Sequence, residues 1–294
     1  MEKLNNCPVC GGQQFTQVLT CIDYTTTKEE FVICQCPDCA LRFTNPRPGL
    51  MESGKYYQSD DYISHTDSKK GLLNKIYQIA RDYMISTKYK STVKKYNSKS
   101  LLDYGCGTGD FLKFCIDKGH NAIGLEIDES ARSLATKKGC QEVFDPSHLD
   151  NLSDSSADII TLWHVLEHIH ELHPTIKHFN RILISSGILV IAVPNHESYD
   201  AKRYDKYWAA YDVPRHLYHF NVSSMTRLMN DEGFNLIETK TMRLDPFYIA
   251  LLSNKYQSGK ISPLKAIYIG LISNIKTLFN IKNSSSVIYI FKKK

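Results

Sequence analysis

The chain has 294 residues, 42% of them apolar and 23% charged, a balance that excludes a disordered, collagen-like or coiled-coil protein. Its 36 Lys+Arg against 31 Asp+Glu leave +5, which neither demands a nucleic acid nor forbids an anionic ligand. The longest apolar runs, residues 188–193 and 247–252, fall far short of the ~18 needed to span a bilayer, and the Cys- and Asn-rich start lacks the apolar core of a secretory peptide, so a cytoplasmic protein is expected.

Residues 1–46 show little helical periodicity but carry Cys7-x2-Cys10 and Cys36-x2-Cys39. Four soft thiolates in two knuckles suit a tetrahedral structural Zn(II), and in a reducing compartment paired spacing favours metal over disulfides. Gly11 and Ala40 follow the knuckles, where a tight turn favours small residues, while Cys34-x-Cys36 makes a poorer knuckle. A module this short with few large apolar residues would not fold alone; zinc would supply on the order of 10 kcal/mol. Residues 47–99 are expected to form a helical connector, with a basic amphipathic helix over 69–99.

From residue 100 onward, strand-length apolar runs at 100–103, 122–126, 142–145, 157–163 and 187–193 alternate with helix-like stretches, the pattern of a parallel sheet covered by helices on both faces. The rhythm then breaks at 195–222, rich in Tyr, His and Pro, which reads as a loop or lid. A helix at 223–232 and a strand at 235–241 follow. A second insertion, 245–283, holds an amphipathic helix at 263–279, expected to pack on the sheet or against another copy rather than on a membrane, and 286–291 reads as a last strand. Oligomeric state leaves no signal.

The first of these strands runs into Asp103-Tyr104-Gly105-Cys106-Gly107-Thr108-Gly109 and then a helix, a turn that lets backbone approach a ligand where side chains would collide. A nucleoside-bearing cofactor is the natural guest, and G-x-G-x-G rather than G-x-G-x-x-G disfavours a nicotinamide dehydrogenase. Glu126, closing the second strand, is placed to accept from both ribose hydroxyls. Asp145, ending the third, is placed either to receive an adenine amine or to cap the turn that Pro146 begins. Cys106, Cys115 and Cys140 read as small core residues.

Residues 101–111, Gly124-Leu125-Glu126 and Trp163-His164-Val165-Leu166-Glu167-His168-Ile169 resemble class I S-adenosylmethionine-dependent methyltransferases over about two thirds of the chain. The resemblance implies a Rossmann-like, seven-stranded, mostly parallel sheet over residues 100–294. It implies a glycine loop wrapped around the methionine part of S-adenosyl-L-methionine, with Asp103 supporting its ammonium and Glu126 binding ribose. Gly105, Gly107, Gly109, Asp145 and His164 complete the expected cofactor site. Glu167-His168 is similar to the Glu-His step of ubiquinone-biosynthesis O-methyltransferases, which lies beside the methyl. Some relatives bind a divalent ion through an acid three positions before that Glu; here His164 stands there, and no metal is expected at His164 or His168. The H-x-x-E-H spelling of inverted zinc peptidases is disfavoured because it follows a buried parallel strand.

The candidate bases are His168, His216 and His219, whose neutral imidazoles exist at cytoplasmic pH. Trp208 and residues 212–220, including Arg215, look like a substrate-side lid. The ribbon with residues 43–48 resembles the N-terminal module of bacterial methyltransferases acting on small molecules or cell-surface precursors, so methylation of an oxygen on a small molecule or glycan-type precursor is expected. An RNA methyltransferase gripping its substrate through the ribbon is disfavoured, since only Lys3, Lys28 and Arg42 precede Arg47, and no DNA partner is expected. A non-catalytic zinc-ribbon binder is the remaining alternative.

Overall fold

The computed structural model describes residues 1–57 and 72–294, with backbone alone for 72–77. Three short strands open the chain: β1 (Thr16–Ile22), β2 (Glu30–Gln35) and β3 (Arg42–Thr44). Helix α1 (Leu72–Ser91) follows; it is shorter than the expected 69–99, and positions 69–71 lie outside the described residues. The apolar runs then become β4 (Ser100–Tyr104), β5 (Asn121–Leu125), β6 (Val143–Phe144), β7 (Ala157–Trp163) and β8 (Leu183–Pro194). Between them lie α2 (Asp110–Asp117), α3 (Glu129–Lys137) and α4 (Leu172–Ile182). The chain closes with α5 (Tyr199–Tyr204), β9 (Tyr218–His219), α6 (Val222–Asp231), β10 (Phe234–Thr241), α7 (Asp245–Ser258), α8 (Pro263–Phe279) and β11 (Ser286–Lys293).

One sheet holds seven strands in the order β10-β11-β8-β7-β4-β5-β6. All neighbours are parallel except β11, which runs antiparallel to both β8 and β10. This is the Rossmann-like α/β fold expected. The central strands are buried on both faces, which is why they read as unbroken apolar runs rather than alternating ones. From β4 the chain steps outward to β5 and β6, then returns to place β7 on the other flank of β4. That reversal opens a crevice at the carboxyl ends of β4, β5 and β7, where ligands bind in such sheets.

The second sheet, β1-β2-β3-β9, is antiparallel, and its last strand comes from the insertion after β8. The cysteine module is therefore no separate bead ending at residue 46. Its few large apolar side chains cannot cover both faces of a three-stranded sheet, and the insertion supplies the missing aromatic mass. Tyr204, Trp208, Tyr211, Tyr218 and Phe220 are all buried, several of them against Phe31 and Ile33 of β2. Arg215 is buried with them, paired with Asp23 at 3.0 Å and Asp212 at 2.6 Å. Arg47, also buried, donates to the Tyr218 hydroxyl at 2.8 Å. The expected lid is a packed joint, because its aromatics have a partner in the ribbon.

Helix α8 packs against α7, with Gly270 beside the Phe247 ring. Its inward side carries Ala266, Gly270, Ser273 and Thr277 together with Ile269, while Leu264, Ile267, Leu271, Ile275 and Leu278 face outward.

Candidate cofactor and active site

The glycine loop turns directly beyond β4. Gly105 N–H and Cys106 N–H both donate to the Leu125 carbonyl of β5, at 2.7 and 3.1 Å, so the loop is stitched across two strand ends. Gly105 has φ +74, and a Cβ there would meet the Val165 side chain at 2.3 Å. Gly107 (φ +55) differs, for a Cβ on it would meet nothing within 4 Å: its bare backbone faces open space. Glu126 leans over this loop. Its Oε2 accepts from Gly107 N–H at 2.8 Å and its Oε1 from Asp128 N–H at 3.0 Å. Two of the roughly four acceptor positions of a carboxylate are thus taken, leaving room for ligand hydroxyls.

Asp103 lies under the loop, buried, accepting from Thr161 Oγ1 at 2.6 Å. Burial pushes its carboxyl up to about 7 against the pull of Thr161 and Lys88. Asp145 caps the short turn after β6, accepting from Ser147 N–H at 3.0 Å, and lies 3.6 Å from Arg132. Gly109 serves packing: a Cβ there would strike Ala135 at 2.7 Å. Cys106 and Cys115 are buried, and that burial drives their thiols upward, away from nucleophilic character.

A polar cluster follows β7, joined to the loop through the Val165 contact. His164, at φ 59, turns its ring between Asp245 (Nε2 to Oδ2, 3.2 Å) and Glu167 (Nδ1 to Oε1, 3.6 Å). Burial alone would lower its pKa, but the two carboxylates outweigh it and hold it up at about 9. Glu167 is completely buried, and neither carboxylate oxygen has a hydrogen-bond partner. Burial raises Glu167, while the histidines around it, His164 first, bring it below the usual carboxylate range.

His168 Nδ1 lies 3.0 Å from the Arg215 carbonyl, with the Tyr57 hydroxyl 3.1 Å away. His216 Nδ1 lies 2.9 Å from the Ala210 carbonyl. A carbonyl only accepts, so each ring carries a proton on Nδ1, and in the neutral form of either ring the free lone pair is on Nε2. The two rings are 4.6 Å apart, and burial holds His168 neutral, down to about 4. Donor atoms of Glu167, His168 and His216 all lie within 4.8 Å of one another. His219, by contrast, is not brought to this cluster: β9 buries it against β3, with Nε2 3.3 Å from Thr44 Oγ1.

A family model described as a methyltransferase domain matches residues 64–239. The chain belongs to that family. It is 23% identical over 176 residues to a probable S-adenosylmethionine-dependent methyltransferase of Mycolicibacterium smegmatis, 58% of this chain and 63% of that protein. The chain spans less than two thirds of the length of the curated relatives it matches. Among solved structures it is similar to an Archaeoglobus fulgidus SAM-dependent methyltransferase (TM-score 0.50, 20% identity, 76% of this chain and 100% of that one). It is also similar to magnesium protoporphyrin IX methyltransferase from Synechocystis with bound SAH (TM-score 0.52, 16% identity, 81% and 97%). At these identities the likeness establishes the fold.

Ahead of the methyltransferase domain, Cys7, Cys10, Cys36 and Cys39 converge, their sulfurs within 4.8 Å of one another. Cys7 to Cys39 and Cys10 to Cys36 are each 3.6 Å apart, close to the ~3.8 Å edge of a tetrahedron with Zn–S bonds of about 2.3 Å. The knuckle turns form as expected: Gly11 (φ 72) and Ala40 (φ 60) donate back to the Cys7 and Cys36 carbonyls at 2.9 and 3.0 Å. The neighbouring Cys39 thiol brings Cys7 down, while Cys39 itself is pushed up by Cys7 and by burial. Cys34 lies within β2, its sulfur toward the Asn45 carbonyl.

Three residues at the methyltransferase site escaped sequence reasoning. Asp245 marked only the edge of an insertion. Lys88 was one of many lysines on a basic helix, yet its Nζ sits 4.5 Å over the Trp163 ring, where burial lowers its pKa against the pull of Asp245 and Asp103. Tyr57 carried no signal. Each reaches the site from a distant stretch of chain.

Proposed function

We propose that this chain transfers the methyl group of S-adenosyl-L-methionine to an oxygen of a small molecule or glycan-type precursor. The observation that carries the reading is the orphaned, fully buried Glu167 carboxylate. It faces the imidazoles of His168 and His216 and is joined through Val165 to a glycine loop with open space at Gly107. The cofactor supplies a methyl on an already activated sulfonium. Glu126 would hold the ribose hydroxyls, the backbone at Gly105 and Gly107 the methionine portion with Asp103 beneath it, and Asp145 the adenine end. His164, from the turn after β7, would border the same space.

For the acceptor, the work left to the protein is alignment and removal of one proton. A hydroxyl entering the cluster has a single proton to give up, and the buried Glu167 carboxylate would stabilise the imidazolium formed when a neighbouring ring receives it. His168 or His216 takes the proton at Nε2, the only nitrogen of each ring with a free lone pair. His219 is the weakest of the three candidates, being walled in by β3. One structural zinc on the four cysteines would hold the ribbon against the insertion that carries His216. An RNA acceptor is disfavoured further by Lys88, which turns from the basic helix into the site.

The test is methyl transfer from labelled cofactor to hydroxylated small-molecule and nucleotide-sugar fractions, with RNA alongside. Wild type should label the small-molecule fraction. Glu167→Gln and His168→Ala should lower turnover by roughly 100-fold or more while binding cofactor normally. Label in RNA instead, or full turnover by both variants, would remove the reading.

A further inference from the structure

Helix α8 is built inside out. Ala266, Gly270, Ser273 and Thr277 are buried, and a Cβ on Gly270 would meet the Phe247 ring of α7 at 2.4 Å. Ile269 is buried beside them and Ile272 half-buried, but the other large apolar residues face away from the protein. Leu264, Ile267, Leu271, Ile275 and Leu278 recur at three- and four-residue spacing and are between 49% and 82% exposed. They form one continuous strip about 20 Å long, given a rise of ~1.5 Å per residue. An unbroken strip of this kind calls for a partner, unlike apolar residues scattered singly over a surface.

The charge around the strip selects the partner. Residues 246–294 contain eight lysines and no Asp or Glu, so all 31 acidic residues lie in the first 245 and leave that part net negative. Lys255, Lys260 and Lys282 lie at the ends of α7 and α8. Lys265 and Lys276 line one flank of the strip, stacked over the Tyr204 and Tyr199 rings at 5.8 and 4.8 Å. A second copy docking through this face by two-fold symmetry would bring two sets of ammonium groups together without a carboxylate from this stretch between them. An apolar face bordered by lysines matches a bilayer surface instead: aliphatic side chains enter the acyl boundary while ammonium groups reach lipid phosphates. Among the described residues no helix is long and apolar enough to cross a membrane, so the attachment is peripheral.

We propose that the exposed face of α8 docks this protein on the surface of an anionic phospholipid bilayer. The proposal rests on α8 and its lysines, independently of the methyl acceptor. It is tested by co-sedimenting the full chain with phosphatidylcholine vesicles, with and without phosphatidylglycerol. The expected result is binding at least ~10-fold tighter to the anionic vesicles, weakening as salt rises. Leu271→Glu with Ile275→Glu should abolish binding with an unchanged melting temperature, since both side chains face solvent. Lys265→Ala with Lys276→Ala keeps the apolar strip and should lower affinity by up to ~5-fold per lysine, so the test stands even if the glutamate variant misfolds. No binding to anionic vesicles, or equal binding by a folded glutamate variant, overturns the proposal. So does light scattering that finds a dimer which the glutamate variant dissociates, for the face is then a subunit interface.

Discussion

Replacing Glu126 by Gln probes the cofactor site at a single pair of atoms. Both carboxylate oxygens accept backbone N–H groups, from Gly107 at 2.8 Å and from Asp128 at 3.0 Å. A Gln amide presents one oxygen and one NH2, so whichever way it turns, a donor faces a donor. One charged hydrogen bond is lost, about 1.5–3 kcal/mol, and the loop that must meet the cofactor loses its brace. Any ribose hydroxyl that gave its proton to the displaced oxygen loses its acceptor as well. Cofactor affinity should therefore fall about 10- to 100-fold. Glu126→Ala removes both braces and should weaken binding further, toward the upper end of that range, because the half-exposed side chain allows water to replace part of what is lost. Isothermal titration of S-adenosylmethionine and S-adenosylhomocysteine into wild type, Gln and Ala variants should give affinities in that order, with thermal melts confirming the fold. If the Ala variant binds within twofold of wild type, the carboxylate does not hold the cofactor and the role given to the second strand is wrong.

Elemental analysis should find one zinc per chain, lost with Cys36→Ser together with much of the melting temperature. A second tightly bound metal that His216→Ala removes would recast the Glu167 cluster as a metal site rather than a proton acceptor. His164 is held at about 9, above its ordinary 6.5, so the stability it contributes is complete below about pH 6.5 and disappears as pH rises through about 9. Its side chain is about a third exposed, which reduces a nominal ~3 kcal/mol to about 1–2 kcal/mol. Asp245→Asn should lower the titration midpoint of His164 seen by NMR and flatten the pH dependence of unfolding between 6.5 and 9; an unmoved midpoint would show that Glu167 alone sets it. Arg215→Met strands the buried Asp23 without its counter-charge, removes the ion pair to Asp212 and should cost about 3–5 kcal/mol in urea denaturation. A loss under about 1 kcal/mol would mean that the seam between ribbon and insertion relaxes around it.

Much of this fold is local in origin and therefore readable along the chain. Strands buried on both faces must be unbroken apolar runs, so β4, β5, β7, β8 and β11 announced themselves within a few residues of their ends. The loop at 105–109 needs left-handed backbone at each glycine, and Gly105, Gly107 and Gly109 all have it. The knuckle geometry of Cys7-x2-Cys10 and Cys36-x2-Cys39 is likewise a matter of a few consecutive residues. The strands of the ribbon were not legible, because three short segments interrupted by metal turns carry too few residues for a period of two to show.

What only the tertiary structure decided are relations between segments far apart in sequence. That β9 completes the ribbon's sheet depends on burying aromatics from residues 204–220 against β2, a choice no local pattern encodes. His168, His216 and His219 looked equivalent as residue types; backbone carbonyls of Arg215 and Ala210 set the tautomers of the first two, while a strand pairing walls off the third. Glu167 acquires its character from complete burial without a hydrogen-bond partner, and Asp245 and Lys88 acquire theirs from where α7 and α1 meet the end of β7. Residue identity sets which protons and lone pairs exist, but distance and burial set their energies, and both are properties of the packed chain.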